Sequence, residues 1–212
     1  LRHRARQRLV APRVARQSLG LVFLLGCGSA PSKPAVVVRE APPEPPAFTA
    51  GSRMARFHST RFDISVPLPD GKNWRIDDHH APVMRATHAG TQSIVEIAIW
   101  REGELVNRAI CEKRAYEKHL IQEPAGDEIS TELASVPTGW DTGVWIGADH
   151  DDKTITGQLV AFGAFIHKCL AFRFETKVDL KDATIVSDRL AFVRLRVLGD
   201  LQPDTFAVPR ER

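Results

Sequence analysis

Apolar and polar side chains alternate along the chain in several short stretches. In the first of them every second residue is apolar: Phe62, Ile64, Val66 and Leu68. Because successive side chains of a strand point to opposite faces of a sheet, this period of two predicts a half-buried β-strand. Turn residues at 67–72 end it, and the alternation resumes at Trp74 and Ile76.

The same pattern predicts further strands at residues 83–88, 93–100, 139–148, 154–162 and 165–176. The last two are typical of a hairpin that turns at Gly163 and Ala164. Most connections are too short for crossover helices, which favours antiparallel pairing. Residues 159–162 are apolar on both faces, so we expect both faces of the sheet centre to be covered.

Two segments have the composition or the period of a helix. Residues 107–121 contain strong helix formers and no proline, and Asn107 is the expected N-cap. Asp179 is the expected N-cap of a second helix, which carries one apolar stripe. The stripe consists of Ala183, Val186, Leu190, Val193 and Val197.

Together these elements predict a single α+β domain over residues 51–212, in the order ββββαβββα. Its antiparallel sheet would contain about six or seven strands, with two main helices covering it. About 160 residues are enough to enclose one hydrophobic core.

The start of this domain resembles that of PsbP-like domains. The similarity rests on residues 62–71, Phe-Asp-Ile-Ser-Val-Pro-Leu-Pro-Asp-Gly, which run into Trp74, and on the order of the elements. The resemblance implies an antiparallel sheet flanked by helices, in a family used largely for docking and accessory roles. No functional residue of the family maps onto a position of this chain.

Residues 1–26 have the three-part pattern of an export signal. A stretch with six arginines precedes an apolar run at 19–25, and small residues follow. The eight residues 19–26 would extend only about 12 Å as a helix, too short for a bilayer core of about 30 Å. Leu24-Leu25-Gly26-Cys27 resembles the bacterial lipobox, which implies cleavage before Cys27 and attachment of diacylglyceryl and palmitate groups to it. The alternative is a conventional signal peptide cut near Ala30.

Residues 27–50 would then be the lipidated cysteine and a linker. Six of these residues are proline, and little of the segment is apolar. Such a segment cannot offset its ordering entropy by burial, so we expect an extended spacer. Gly28 follows the cysteine and implies, by the lipobox resemblance, the periplasmic face of the outer membrane.

The net charge of +3 gives no argument for a nucleic-acid partner. Six of the 29 Lys and Arg lie in residues 1–26, where no acid occurs, so the remaining chain has 23 basic and 26 acidic residues. The basic excess therefore belongs to the predicted signal peptide.

Cys111 and Cys169 remain once Cys27 is lipidated, and an oxidising compartment favours a disulfide between them. A bridge would fasten the first helix to a late strand of the sheet. Two buried free thiols are the alternative.

Two clusters carry side chains that accept divalent metal ions. The first contains Asp77, His79 and His80, and the second contains His150 and Asp152. They would form a four-ligand site only if the fold brought both predicted turns together. The alternative is a pair of solvated loops, in which charged residues are common.

No signature of a catalytic nucleophile is present. The chain lacks Gly-x-Ser-x-Gly, Ser-x-x-Lys and His-Glu-x-x-His motifs and a glycine-rich phosphate loop. The hypothesis is therefore a non-enzymatic, lipid-anchored envelope protein that needs no cofactor and binds another protein or an envelope component. The rivals are a metal-dependent hydrolase using the Asp/His loops, and a ligand-binding module with an aromatic groove formed by Trp74, Trp140 and Trp145.

Overall fold

The computed structural model describes residues 48–49 and 51–203, all within one compact unit. The strands of this part are Met54–Ser59 (β1), Ile64–Pro69 (β2), Trp74–Asp77 (β3), Met84–His88 (β4), Ser93–Arg101 (β5), Asp127–Ala134 (β6), Asp141–His150 (β7), Thr154–Phe165 (β8), Lys168–Asp179 (β9) and Gln202–Pro203 (β10). The helices are Arg108–Glu117 (α1) and Ala183–Phe192 (α2), and α2 continues as a π-helix over Val193–Leu198.

The main sheet has seven strands in the order β3-β4-β5-β9-β8-β7-β6, and every neighbouring pair is antiparallel. A smaller sheet has the order β1-β2-β10. This architecture confirms the predicted α+β class, its antiparallel sheet and its two main helices.

One face of the main sheet is covered by α2, the π-helix and the smaller sheet. The apolar side chains that were predicted to share one strand face are all buried in this core. They are Phe62, which precedes β2, and Ile64, Val66 and Leu68 of β2. Most of the predicted stripe of the second helix is buried there too, namely Val186, Leu190, Val193 and Val197. Burial of these apolar side chains is the main favourable contribution to the folding free energy of such a domain.

The opposite face is covered by α1. Ala115 packs against Val160, Phe162 and Ala171 of the sheet. Beside them Cys111 is joined to Cys169 of β9 by a disulfide with a Cα–Cα distance of 5.3 Å, so the predicted bridge is confirmed. The predicted covering of both faces at the sheet centre is therefore confirmed as well.

The predicted helix termini are partly right. Asn107 caps α1, since its Oδ1 accepts a hydrogen bond from the Ile110 amide at 2.9 Å. The helix ends at Glu117 rather than near residue 121. Two residues after its end, His119 takes a left-handed φ of 51°, which does not continue a helix. Asp179 is the wrong N-cap for α2, because a short 3₁₀ turn intervenes and its side chain makes no capping bond.

Three strands were missed and one turn is misplaced. The edge strands β1, β6 and β10 bury too few side chains to show a strong alternation. The β8–β9 hairpin turns after Phe165, not at Gly163 and Ala164, which pair with Leu170 and Cys169 inside the ladder. Gly163 serves close packing instead, because a Cβ there would lie 2.7 Å from Thr142 Oγ1.

A buried polar network links α2 to the β4–β5 connection. Arg189 is only 4% exposed, and its guanidinium donates to the Thr91 carbonyl at 2.9 Å and to Thr176 Oγ1 at 2.7 Å. Thr91 Oγ1 lies 2.9 Å from Nδ1 of the buried His88. The guanidinium also lies 5.7 Å from the ring centre of Phe48. The main core therefore contains the charged guanidinium of Arg189 next to aromatic rings.

The stability of the domain should depend on pH through His88. Burial lowers the pKa of His88 below its ordinary value, and Arg189 adds to this effect while Asp70 opposes it. The unfolded chain therefore binds more protons at this histidine, so stability is lost as the pH falls below about 6.5. We expect urea denaturation to give a smaller free energy of unfolding at about pH 5 than at about pH 7.

The matched control is His88→Gln, which has no titrating ring. Its free energy of unfolding should change less across the same interval, because it lacks the ring that the unfolded chain protonates there. Equal losses in the wild type and in His88→Gln would contradict the role assigned to this histidine.

Candidate functional site

The best candidate site is a groove of about 300 Å³ between α1 and the last three strands of the main sheet. We call it the Trp145 groove. It is lined by Arg108, Glu112, Tyr116, Pro124, Thr131, Leu133, Gly143, Val144, Trp145, Val160 and Phe162. Its size and its mixture of aromatic walls with a few polar groups are typical of binding sites.

The floor of the groove depends on two glycines of β7. Gly143, Trp145 and Gly147 share one face of the strand because they are two residues apart. A Cβ at Gly147 would lie 2.2 Å from the Trp145 ring, so the indole lies over this glycine. A Cβ at Gly143 would lie 2.6 Å from Arg108 Cδ. The glycines therefore leave the sheet surface free for a broad ring and for the Arg108 side chain.

Helix α1 supplies the polar wall. Arg108 Nη1 donates to Asp141 Oδ1 at 3.1 Å, which neutralises the basic group of this wall. Burial raises the pKa of Tyr116 to about 12, and the carboxylates of Glu112 and Glu123 add to the rise. The phenol therefore stays protonated at neutral pH and remains a hydrogen-bond donor.

Two contacts hold this wall in place. The Tyr116 ring packs edge-on against Phe162 with ring centres 5.3 Å apart. One turn earlier, the Cys111–Cys169 disulfide fixes α1 to β9. The width of the groove, which is the distance between α1 and the strands, is therefore set by the same contacts that bury the helix.

The structure separates the two predicted metal-ligand clusters. Asp77, His79 and His80 lie at the β3–β4 turn, whereas His150 and Asp152 lie at the β7–β8 turn, at the opposite end of the sheet. β3 and β8 are four strand spacings apart, which is about 19 Å. A site that draws ligands from both loops is therefore impossible in this fold.

An aspartate in each of these turns accepts backbone amides and so stabilises the turn. Asp77 Oδ1 accepts the amides of His79 and His80 at 3.0 and 3.1 Å, and these bonds lower the pKa of Asp77 to about 2. In the second turn Asp151 accepts the amides of Lys153 and Thr154 in the same way. Within residues 48–49 and 51–203, no group of three or more His, Cys, Asp or Glu side chains is arranged to hold a metal ion.

The three tryptophans of the predicted aromatic groove do not share a site. Trp74 and Trp140 are buried in the core on the α2 side, where the Trp74 indole donates to the Pro69 carbonyl at 2.6 Å. Trp145 points to the other face, as its spacing of five residues from Trp140 predicts. Of the three, Trp145 alone lines the groove beside α1.

Sequence reasoning missed the groove walls Glu112, Tyr116 and Leu133. Their assembly requires the packing of α1 against β8 and β9, which no local pattern reveals. The alternation of Gly143, Trp145 and Gly147 was the available signal, because a glycine two residues from a tryptophan on a strand leaves room for the indole ring on the same face. Cys27, the predicted signal peptide and the linker up to residue 47 lie outside the described residues.

Comparisons with known proteins assign no family to the chain. No protein-family model matches it, and no curated protein does. Among solved structures it is similar to a crystal structure from Bacteroides thetaiotaomicron VPI-5482, with 12% identity and a TM-score of 0.44. The match covers 72% of this chain and 49% of the other, so the chain spans about half the length of that structure.

Among the described helices, none combines the length and the apolar character needed to cross a bilayer.

Proposed function

We propose that this chain is a lipid-anchored envelope protein whose α+β domain binds another protein and carries out no catalysis. Lipid on Cys27 would hold the domain at the periplasmic face of the outer membrane, at the end of the proline-rich linker. Support for the anchor comes from the order of the arginine-rich stretch, the apolar run and Leu24-Leu25-Gly26-Cys27. The resemblance of residues 62–71 to PsbP-like domains agrees with an accessory role.

The Trp145 groove is the observation that carries the binding function. It combines the broad indole surface of Trp145, the phenol of Tyr116 and the carboxylate of Glu112 beside an open strand. Aromatic rings contribute strongly to binding because they bury a large area with few rotatable bonds. Leu133 at its rim is 71% exposed and extends the apolar surface of the groove outward.

A single experiment in the native host tests the anchor and the binding face together. A photo-crosslinking amino acid replaces Leu133, and the same amino acid replaces Leu180 as the control. Leu180 is also exposed, at 42%, but lies outside the groove. We expect ultraviolet light to give a discrete adduct from position 133 and none from position 180.

The second readout is incorporation of labelled palmitate. We expect label in the wild type and none in Cys27→Ser, which should leave the membrane fraction. Absence of label in the wild type would refute the anchor. Identical adducts from positions 133 and 180 would refute the groove as the binding face.

A further inference from the structure

The edge of the main sheet next to the Trp145 groove is open. β6 is the last strand in the sheet order, and within the described chain no strand pairs with its outer side. Most of its side chains are exposed, and a bulge at Ile129 interrupts its pairing with β7. Residues 130–134 beyond the bulge form a regular ladder with β7. An open strand of this kind is a template for pairing with another chain.

Grooves flank β6 on both faces of the sheet. Leu133 lines the Trp145 groove on the α1 side. Ile129, which is 65% exposed, lines a second groove of about 350 Å³ between β6 and α2, which we call the α2 groove. The α2 groove is mainly apolar, with Ile146, Ile155, Ala183, Val186, Leu190, Ala191 and Leu195 among its lining residues. A strand added to β6 would direct alternate side chains towards the two grooves and cover both exposed apolar residues.

The charges around the Trp145 groove select a basic partner. Among the described residues, neither Glu112 nor Glu123 makes an ion pair, whereas Arg108 is neutralised by Asp141. The Trp145 ring offers a cation–π surface in the same groove as Glu112, and Glu123 adds its negative charge to the surroundings of Tyr116. On the α2 side Glu132 is already paired with Arg194. The two faces therefore favour different side chains, basic over Trp145 and apolar over the α2 groove.

A second copy of this chain fits the edge poorly. β6 carries Asp127, Glu128 and Glu132. A second β6 has no basic side chain to place against these carboxylates, and like charges directly opposite each other across a strand pair are destabilising. Charge complementarity therefore favours a foreign, basic segment.

We propose that β6 receives an extended segment of a partner protein as an eighth strand, with basic side chains over Trp145 and apolar side chains over the α2 groove. This inference rests on the proposed binding function and adds its mode and the chemistry of the partner. The backbone ladder supplies affinity, and the alternation of basic and apolar residues supplies specificity.

Synthetic peptides added to the purified full-length chain test this proposal. The probe is the acetylated, amidated peptide Ala-Arg-Val-Arg-Val-Arg-Ala, and the control peptide has Glu in place of each Arg. We expect the probe to shift the NMR signal of the Trp145 indole and to protect amides of residues 130–134 from hydrogen exchange. A proline in place of the central Arg should abolish both effects, because proline cannot donate to a strand ladder.

Charge variants separate the groove from a general electrostatic attraction. The double variant Glu112→Gln with Glu123→Gln should bind the probe peptide with about tenfold lower affinity, which corresponds to about 1.4 kcal/mol. The matched control, Asp63→Asn with Glu104→Gln, removes the same net charge from exposed positions outside the groove and should change affinity by less than about twofold.

Several results would overturn the eighth-strand proposal. Equal binding of the Arg and Glu peptides, equal effects of the two double variants, or protection of β6 amides by self-association without peptide would each do so. If a position-133 adduct forms in the host while the peptides show no preference, the binding function stands and the basic-strand mode is wrong. If position 133 gives no specific adduct, the binding function itself is wrong.

Discussion

Reduction of the Cys111–Cys169 disulfide should lower the free energy of unfolding by about 4 kcal/mol. The bridge closes a loop with a sequence separation of 58 residues, and loss of that constraint increases the entropy of the unfolded chain. Both cysteines are completely buried, so the reduced thiols remain in an apolar site. Urea denaturation with and without a reductant measures the difference.

The control for the disulfide is the double variant Cys111→Ala with Cys169→Ala. It should match the reduced wild type in stability within about 1 kcal/mol and should not respond to the reductant. Mass spectrometry after alkylation establishes that the wild-type bridge was opened. A wild type whose bridge is open but whose stability is unchanged would contradict the prediction.

The disulfide also bears on the candidate site. Cys111 lies on the same helix as Arg108, Glu112 and Tyr116, and this helix forms one wall of the Trp145 groove. The helix has only ten residues, and two of them, Cys111 and Ala115, are fully buried. So short a helix depends on tertiary contacts for its stability. We therefore expect that opening of the bridge loosens the packing of α1 on the sheet, and with it the wall of the Trp145 groove, before the main core unfolds.

Phe48→Ala should destabilise the domain by about 3–5 kcal/mol, the usual cost of deleting a buried aromatic ring. Phe48 is only 7% exposed and lies three residues before the predicted domain boundary. Its ring contacts four others at centroid distances of 5.7 to 6.5 Å, namely those of Trp74, His88, Phe174 and Phe192. Its removal leaves a cavity beside the buried Arg189 guanidinium.

Thr49→Ala is the matched control for Phe48→Ala. Thr49 is the next residue and is exposed, so this change should alter stability by no more than about 0.5 kcal/mol. Thermal and urea denaturation of both variants would measure the contrast. Similar stabilities for the two variants would show that Phe48 does not contribute to the core.

Contact of Phe48 with the core has a consequence for the proposed tether. The predicted linker, residues 27–50, includes Phe48, which is held among aromatic rings of the main core. The point at which a membrane anchor would pull on the domain is therefore a buried side chain. Phe48→Ala would move that point towards β1, which begins at Met54.

Local patterns were informative wherever an element buries one full face. The strand with Ile64 and Val66, the cap at Asn107 and the stripe with Leu190 were all predicted, because burial and capping leave a period or a residue type in the sequence. β6 was missed because it is an edge strand whose side chains are mostly exposed. An exposed strand needs no apolar alternation, so it leaves no such signal.

The candidate site shows the same division. The pairing of Cys111 with Cys169 was predicted, since only these two cysteines follow residue 27. The metal hypothesis failed because proximity of the His79 and His150 loops depends on strand order, which places them at opposite ends of the sheet. Strand order is set by long-range packing and is not encoded in the local spacing of ligands.

By itself the sequence determined the α+β class, most strands, both helices and the disulfide, because each follows from short-range periodicity, capping or a count of cysteines. Only the tertiary structure decided which strand lies at the open edge, which tryptophan lies in the groove beside α1 and which carboxylate lines that groove. The physical reason is that a binding surface consists of residues from α1, β6 and β7 that are distant in the chain. Their approach results from burial of the whole core, to which every element contributes.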